Sequence, residues 1–284
     1  MTTRTIESGT MPEFLTLKTR TEGAVLFVEI DSPPINLIGP ALVTDLVSLI
    51  ELLDQGDRYR VVVFSSADPD FFIPHVDVTK ISEYREAAAK LTGEASIGAL
   101  FRRLSETKAI TIAQISGRVR GGGNEFVLAC DMRFASRERA IFGQMEAGFG
   151  LSPGAGGLQH LARLMGRGRA LEVVLSADDY DADIAERYGW INRAVPDADL
   201  APFVTKLAHR IASFPYAGLI INKERINAIT LAPATEFRRD SELFGQGALQ
   251  PDSQRRTALM LNRGLQTRGE TELNLGHILG ELEN

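Results

Sequence analysis

The first apolar blocks of the chain are short and strand-like. "FLTLKTR" (14–20) and "AVLFVEI" (24–30) flank the turn "TEG" and predict an opening β-hairpin. In "DSPPINLIGP" (31–40), Gly39 and Pro40 suit a helix start, and Leu42, Leu46, Leu49, Ile50 and Leu53 then recur at helical spacing on one face. The apolar runs at 61–65 and "ITIAQI" (110–115) predict buried strands. Between them, residues 79–105 mix charge with alanine and predict a mobile loop plus one helix ending in "IGALFRRL". Strand and helix go on alternating through two glycine-rich stretches to "GWINRAVP" (189–196), where the last short strand ends. Beyond about residue 200 the pattern is helical only, as in "APFVTKLAHRIASF" and "ATEFRRDSELF". The expected organisation is therefore a flexible tail (1–13), an α/β core (14–200) and a helical region (201–284). The apolar face Phe203, Leu207, Ile211 of that last region is one that a single core would not fully cover.

Composition narrows the classes. The 284 residues, 44% hydrophobic and 24% charged, suffice for one sizeable core, and no apolar run approaches the roughly 18 residues of a membrane span. With a net charge of −6 and scattered Lys and Arg, nothing favours a nucleic-acid partner. The single Cys130 excludes an internal disulfide and a Cys-rich metal site, and "MTTRTIESGTMPEF" lacks the apolar centre of a signal peptide. A cytoplasmic protein without a metal is expected. Neither a GxGxxG fingerprint nor a phosphate-binding loop is present, so no separate cofactor is expected.

The chemistry concentrates in two segments. In "GRVRGGGNEFVLACD" (117–131), three glycines precede a helix whose Phe126, Val127 and Cys130 face inward, so backbone N–H groups at a helix start come close to something. Tight packing against a neighbouring strand would also require such glycines. Glu125 lies in that first turn, where the helix dipole favours an acid. Glu146, in "IFGQMEAGFGLSPGAGG", has a similar setting 146 − 125 = 21 positions on, so the two carboxylates can meet only through folding. Two carboxylates converging on one buried water have their titrations pushed apart, which suits adding water across a double bond.

"ISGRVRGGGNEFVLACDMRFAS", "FGQMEAGFGLSPGAGGLQHLARLMG" and "ALEVVLSADDYDADIAERYGWINRAVP" together resemble the enoyl-CoA hydratase/isomerase, or crotonase, family, in register from about residue 15 to 200. The resemblance implies a spiral of ββα units with a C-terminal helical trimerisation region, a homotrimer or hexamer, and an acyl-CoA thioester as substrate, with coenzyme A carried by the substrate. It implies Glu125 as the acid that holds and activates water and Glu146 as its partner at the α-carbon. Gly122 becomes one oxyanion donor, with Gly121 and Gly154 at the approach to the reacting centre. Asn36, Phe72 and Lys223 are carried over as substrate contacts. The departure lies in "FFIPHVDV" (71–78), which puts Pro74 on the alanine taken to be the other donor and His75 on the following glycine. Proline has no N–H, so that donor is missing or His75 substitutes for it. The His75 imidazole could equally bond a backbone carbonyl or Asp77. Three functions stay open: hydration of a 2-enoyl-CoA, isomerisation or another crotonase-type reaction, and acyl-CoA binding without catalysis.

Overall fold

The computed structural model describes residues 11–282. The expected tail lies, up to residue 10, outside the described residues; Met11 already packs against the core. The strands run β1 (Leu17–Glu22), β2 (Val25–Ile30), β3 (Val61–Ser66), β4 (Phe71–Ile73), β5 (Ile110–Ile115), β6 (Arg118–Arg120), β7 (Met132–Ser136), β8 (Ile141–Gly143), β9 (Tyr180–Asp181) and β10 (Arg193–Val195). The hairpin and the buried strand 110–115 follow the sequence pattern. Helices α1 (Pro40–Asp54), α2 (Ile81–Thr92), α3 (Ile97–Ser105), α4 (Gly122–Ala129), α5 (Gly157–Ser176) and α6 (Ala182–Tyr188) interleave with the strands. Helices α7 (Asp197–Ala212), α8 (Tyr216–Thr230), α9 (Ala234–Ala248), α10 (Pro251–Asn262), α11 (Glu270–Leu273) and α12 (Leu275–Gly280) follow the last strand.

Two sheets share these strands by turns. One has the order β1-β2-β3-β5-β7-β10, the other β4-β6-β8-β9. Each repeat lays a longer strand in the first sheet (β3, β5, β7), a three-residue strand in the second (β4, β6, β8), and then turns into helix, which is the ββα spiral. Pairing within both series is parallel, so the ends of β4, β6 and β8 lie side by side. Arg120 is in register with Gly143. The residues just past these strands therefore meet although they are far apart in sequence, as at the carboxyl ends of other parallel sheets.

Packing explains the differences from the sequence pattern. Residues 79–105 form two helices, with Tyr84, Ala87 and Ala88 of α2 and Leu100, Phe101 and Leu104 of α3 buried in the main core. Helix α7 lies on the large sheet: Leu200, Val204 and Ala208 join Val61, Val63 and Ile112 in one cluster, and Phe203, Leu207 and Ile211 pack against it. Phe203, Leu207 and Ile211 are themselves only partly buried, so the single chain covers that apolar face in part. Exposed apolar side chains lie elsewhere, on α8 at Ile221, Ile226 and Ile229. No described helix is long and apolar enough to cross a membrane.

Candidate active site

The three glycines at the start of α4 each allow a close approach. Gly121 has φ +48°, and a Cβ there would lie 3.0 Å from Glu146 Oε1; one on Gly122 would lie 2.6 Å from Val76 Cγ1, and one on Gly123 2.0 Å from the Ile73 carbonyl oxygen. The tight strand contact and the exposed helix start are one arrangement. The Gly121 N–H bonds the Gly143 carbonyl. That leaves the Gly122 N–H, at the first helical position, without an acceptor among the described residues.

The opposite edge comes from the loop after β4. The Ile38 N–H bonds the His75 carbonyl (3.0 Å) and the Asp77 N–H bonds the Ile38 carbonyl (3.0 Å). Because the peptide is planar and trans, turning the His75 carbonyl toward Ile38 turns the Val76 N–H away from it. That N–H also lacks an acceptor among the described residues, and the Val76 nitrogen lies 3.8 Å from where a Gly122 Cβ would be. This corrects the expectation for Pro74. Pro74 is buried just past β4 and lines neither cavity described below, and the backbone nitrogen found beside Gly122 is that of Val76. The His75 ring bonds the Val76 carbonyl (Nδ1, 2.7 Å) and Glu272 Oε1 (Nε2, 2.9 Å), not Asp77.

Both acids are buried here, Glu125 2% and Glu146 7% exposed. Oε1 of Glu125 accepts the N–H groups of Ala155 (2.7 Å) and Gly157 (2.8 Å) at the start of α5. Gly157 must be a glycine, since a Cβ would lie 2.9 Å from Gln144 Oε1 and 3.1 Å from Glu125 Oε1. Glu146 is oriented by a chain of donors: Trp190 Nε1 to Asn124 Oδ1 (2.8 Å), Asn124 Nδ2 to Gln144 Oε1 (2.6 Å), and Gln144 Nε2 to Glu146 Oε2 (2.8 Å). Burial raises both carboxyls above the ordinary range; for Glu125 the charge of Glu146 adds to the rise, and its two backbone N–H bonds act against it.

Two adjoining cavities open at this point. The larger, about 280 Å³, is lined by His75, Val76, Gly121, Gly122 and Glu146 on one side and by apolar side chains of α9, α10 and the following turn, including Phe244, Leu261 and Leu265, on the other. The smaller, about 20 Å³, is lined by Val76, Gly122, Glu125, Glu146, Gly154 and Tyr84. A water needs roughly 10–15 Å³ of such space, so the smaller one has room for about one. Gly154 belongs there because a Cβ would lie 2.5 Å from Phe244 Cβ.

Three expected substrate contacts are not brought to the cavities. Asn36 is 2% exposed; its amide donates to Ser66 Oγ (2.8 Å) and its Oδ1 accepts the Ser32 N–H (2.7 Å), so it ties the loop after β2 to β3. Phe72 is wholly buried in the main core. The Lys223 ammonium donates to the Ala109 carbonyl (2.7 Å) and to Asp131 (2.8 Å), and is committed to that buried pair. Conversely, Tyr84 was not singled out by the sequence. It is 1% exposed, its hydroxyl makes no hydrogen bond to a described residue, and burial raises its pKa. Arg120 and Glu272 also escaped notice; Arg120 stands directly before the glycines, and Glu272 sits in a segment without a legible motif. Among the described residues no group of three acidic, His or Cys side chains could hold a metal.

A parallel spiral whose strand ends gather two buried carboxylates and two free backbone N–H groups defines a class of acid/base enzyme acting on a polarised carbonyl. The family model for enoyl-CoA hydratase/isomerase matches residues 20–264, and the chain belongs to that family. It is 30% identical to a short-chain-enoyl-CoA hydratase of Clostridium acetobutylicum, over 79% of this chain and 86% of that protein. It is 29% identical to a crotonyl-CoA hydratase of Syntrophomonas wolfei, over 72% and 77%. A crystal structure from Streptomyces avermitilis, of a protein provisionally named an enoyl-CoA hydratase, is 55% identical and superimposes with a TM-score of 0.95 over 97% of this chain and all of that one.

Proposed function

We propose that the protein hydrates a 2-enoyl-CoA thioester. The observation that carries this reading is the one-water cavity walled by both carboxylates and by the two free N–H groups. The thioester oxygen lies between the N–H groups of Val76 and Gly122, which polarise the conjugated double bond and stabilise the enolate as charge moves onto that oxygen. The water oxygen bonds to C3 while Glu125 takes one of its protons, and Glu146, entering as the acid, gives its proton to C2; proton exchange through the next water resets the pair. Burial raises both carboxyls, and the charge of Glu146 raises Glu125 further, so the two titrate as one coupled pair that can pass protons between base and acid roles. The cavity favours hydration over isomerisation, which has no use for a water at that place, and over binding alone, which has no use for the acids.

The family's assembly extends the reading to a homotrimer, or a hexamer of two trimers, with α8 as a contributing surface: Ile221, Ile226 and Ile229 are 60%, 60% and 78% exposed in the single chain. Light scattering at micromolar concentration should give a trimeric or hexameric mass; a monomer would remove this part of the reading. A reducing cytoplasm suits the buried, unpaired Cys130.

Glu146→Gln tests the chemistry. It preserves size and hydrogen-bonding capacity but holds no transferable proton, so binding of the CoA ester should persist while kcat falls by about 10²-fold or more. Turnover equal to wild type, followed by loss of the enoyl thioester absorbance, would sink the mechanism.

A further inference from the structure

The residue before the free Val76 N–H is a histidine with both ring nitrogens occupied. Nδ1 lies 2.7 Å from the Val76 carbonyl oxygen, which can only accept, and so must carry a proton. Nε2 lies 2.9 Å from Glu272 Oε1, and that same oxygen accepts the Gln266 N–H at 2.6 Å. Burial pushes the Glu272 pKa up, but His75 and the Gln266 N–H outweigh it and hold the group as a carboxylate; both ring neighbours are then acceptors, and the ring is an imidazolium paired with that buried carboxylate. Three other elements bear on its charge. Arg120, on β6, opposes the protonated form, Glu146 feels its positive charge from the turn after β8, and the C-terminal segment supplies Glu272. Burial pulls the imidazole pKa down, but Glu272 and the Val76 carbonyl outweigh it, and the net shift is upward.

The location gives this pair a use. In extended backbone the N–H and C=O of one residue point the same way, so the Val76 carbonyl leaves on the side of the Val76 N–H. An uncapped carbonyl there would set an acceptor beside the place where a second oxygen must be held. The His75 ring takes up that carbonyl and adds a positive charge near it.

Glu272 acts on both edges of the site. Its side chain holds His75, next to Val76, while its backbone carbonyl accepts Arg120 Nη1 (2.7 Å), two residues before Gly122. Arg120 is fixed in turn by two bonds to Asp179 (2.6 and 2.7 Å), and Arg118 Nε donates to the Leu273 carbonyl (2.8 Å). One turn of helix near the C-terminus thus grips both the loop after β4, which presents the Val76 N–H, and β6, which leads to that of Gly122.

We propose that His75 and Glu272 are positioning residues: as an ion pair they cap the Val76 carbonyl, hold the Val76 N–H beside that of Gly122, and make carbonyl polarisation depend on the chain's own C-terminal segment. This rests on the reading of those two N–H groups as the thioester oxygen site. The pair is intact while the imidazole is protonated, and is lost as pH rises through its raised pKa.

Glu272→Gln is the discriminating variant. With a neutral ring there is one imidazole proton, so at least one of the three bonds now made to Val76, residue 272 and Gln266 must be lost, while size and packing stay the same. The first readout is the kcat and KM of purified enzyme against pH. The second is the red shift of a conjugated enoyl-CoA chromophore on binding, which reports carbonyl polarisation whether or not turnover occurs. In the wild type, kcat should fall at alkaline pH with little change in KM. Glu272→Gln should already be about 10-fold slower at neutral pH, less than the roughly 10²–10³ of deleting a whole oxyanion donor, should lack that alkaline inflection, and should show a smaller red shift. His75→Asn, which can still cap the carbonyl but carries no charge, should also lack the inflection, and the double variant should lose no more than the worse single one. Wild-type kcat, pH profile and red shift in Glu272→Gln would overturn the proposal; should that variant not fold, the same result in His75→Asn would do so. A wild type that binds and red-shifts the chromophore without turning over any enoyl-CoA would remove the hydratase reading, and the red shifts of the variants would still decide this one.

Discussion

Two walls face each other across the larger cavity, and they are built on opposite terms. The wall from the ends of β4, β6 and β8 is closely packed: a Cβ on Gly122 would lie 2.6 Å from the Val76 side chain and one on Gly123 2.0 Å from the Ile73 carbonyl oxygen, and each carboxylate has fixed donors. The wall from α9 and α10 is side chain against empty space, with Phe244, Leu261 and Leu265 bordering the cavity. Groups that move protons need positions fixed to a fraction of an ångström, whereas a surface that receives an apolar group needs only shape and room. On the function proposed above, the first wall carries the chemistry and the second the substrate preference.

The contrast breaks most easily at Gly123. A methyl group there meets the Ile73 carbonyl, backbone that cannot swing aside, so Gly123→Ala should abolish turnover and lower the thermal unfolding midpoint by several degrees, the scale of about 1–3 kcal/mol for overpacking. Near-normal melting and activity would mean that the first wall yields as readily as the second. At the opposite wall, Phe244 borders both cavities, and Phe244→Ala should enlarge them while leaving the hydrogen bonds of both acids in place. We expect kcat on a short enoyl-CoA to change by less than about tenfold, while preference shifts toward longer acyl groups by about 10-fold, the scale of hydrophobic pocket discrimination. An unchanged ranking across an acyl-length series would show that α9 does not face the acyl group.

The same contrast governs what the sequence made legible. Glu125, Glu146 and the glycines follow the short strands β6 and β8 within a few positions; their residue types marked them, but at a spacing of 21 their meeting was legible only through the family resemblance. The loop after β4 could not be read to the residue. Which of Pro74, His75 and Val76 presents its N–H depends on a bond from Ile38, and a slip of one position reverses the direction of a peptide. Residues 79–105 read as a mobile loop because α2 is rich in charge and alanine; the burial of Tyr84 against the core decides otherwise. Lys223 looked free because nothing in "INKERI" announces Asp131, 92 positions away. Glu272 reaches His75 across 197 positions, a separation at which no local pattern operates.

The donor chain that orients Glu146 begins at Trp190, wholly buried and the protein's single tryptophan. All intrinsic indole emission therefore comes from one ring, three hydrogen bonds from the acid. Its emission should sit toward the blue, as for an indole shielded from water, and should change when a CoA thioester or a proton alters Glu146. The enzyme thus carries a built-in optical probe, with no label to attach and no second tryptophan to subtract.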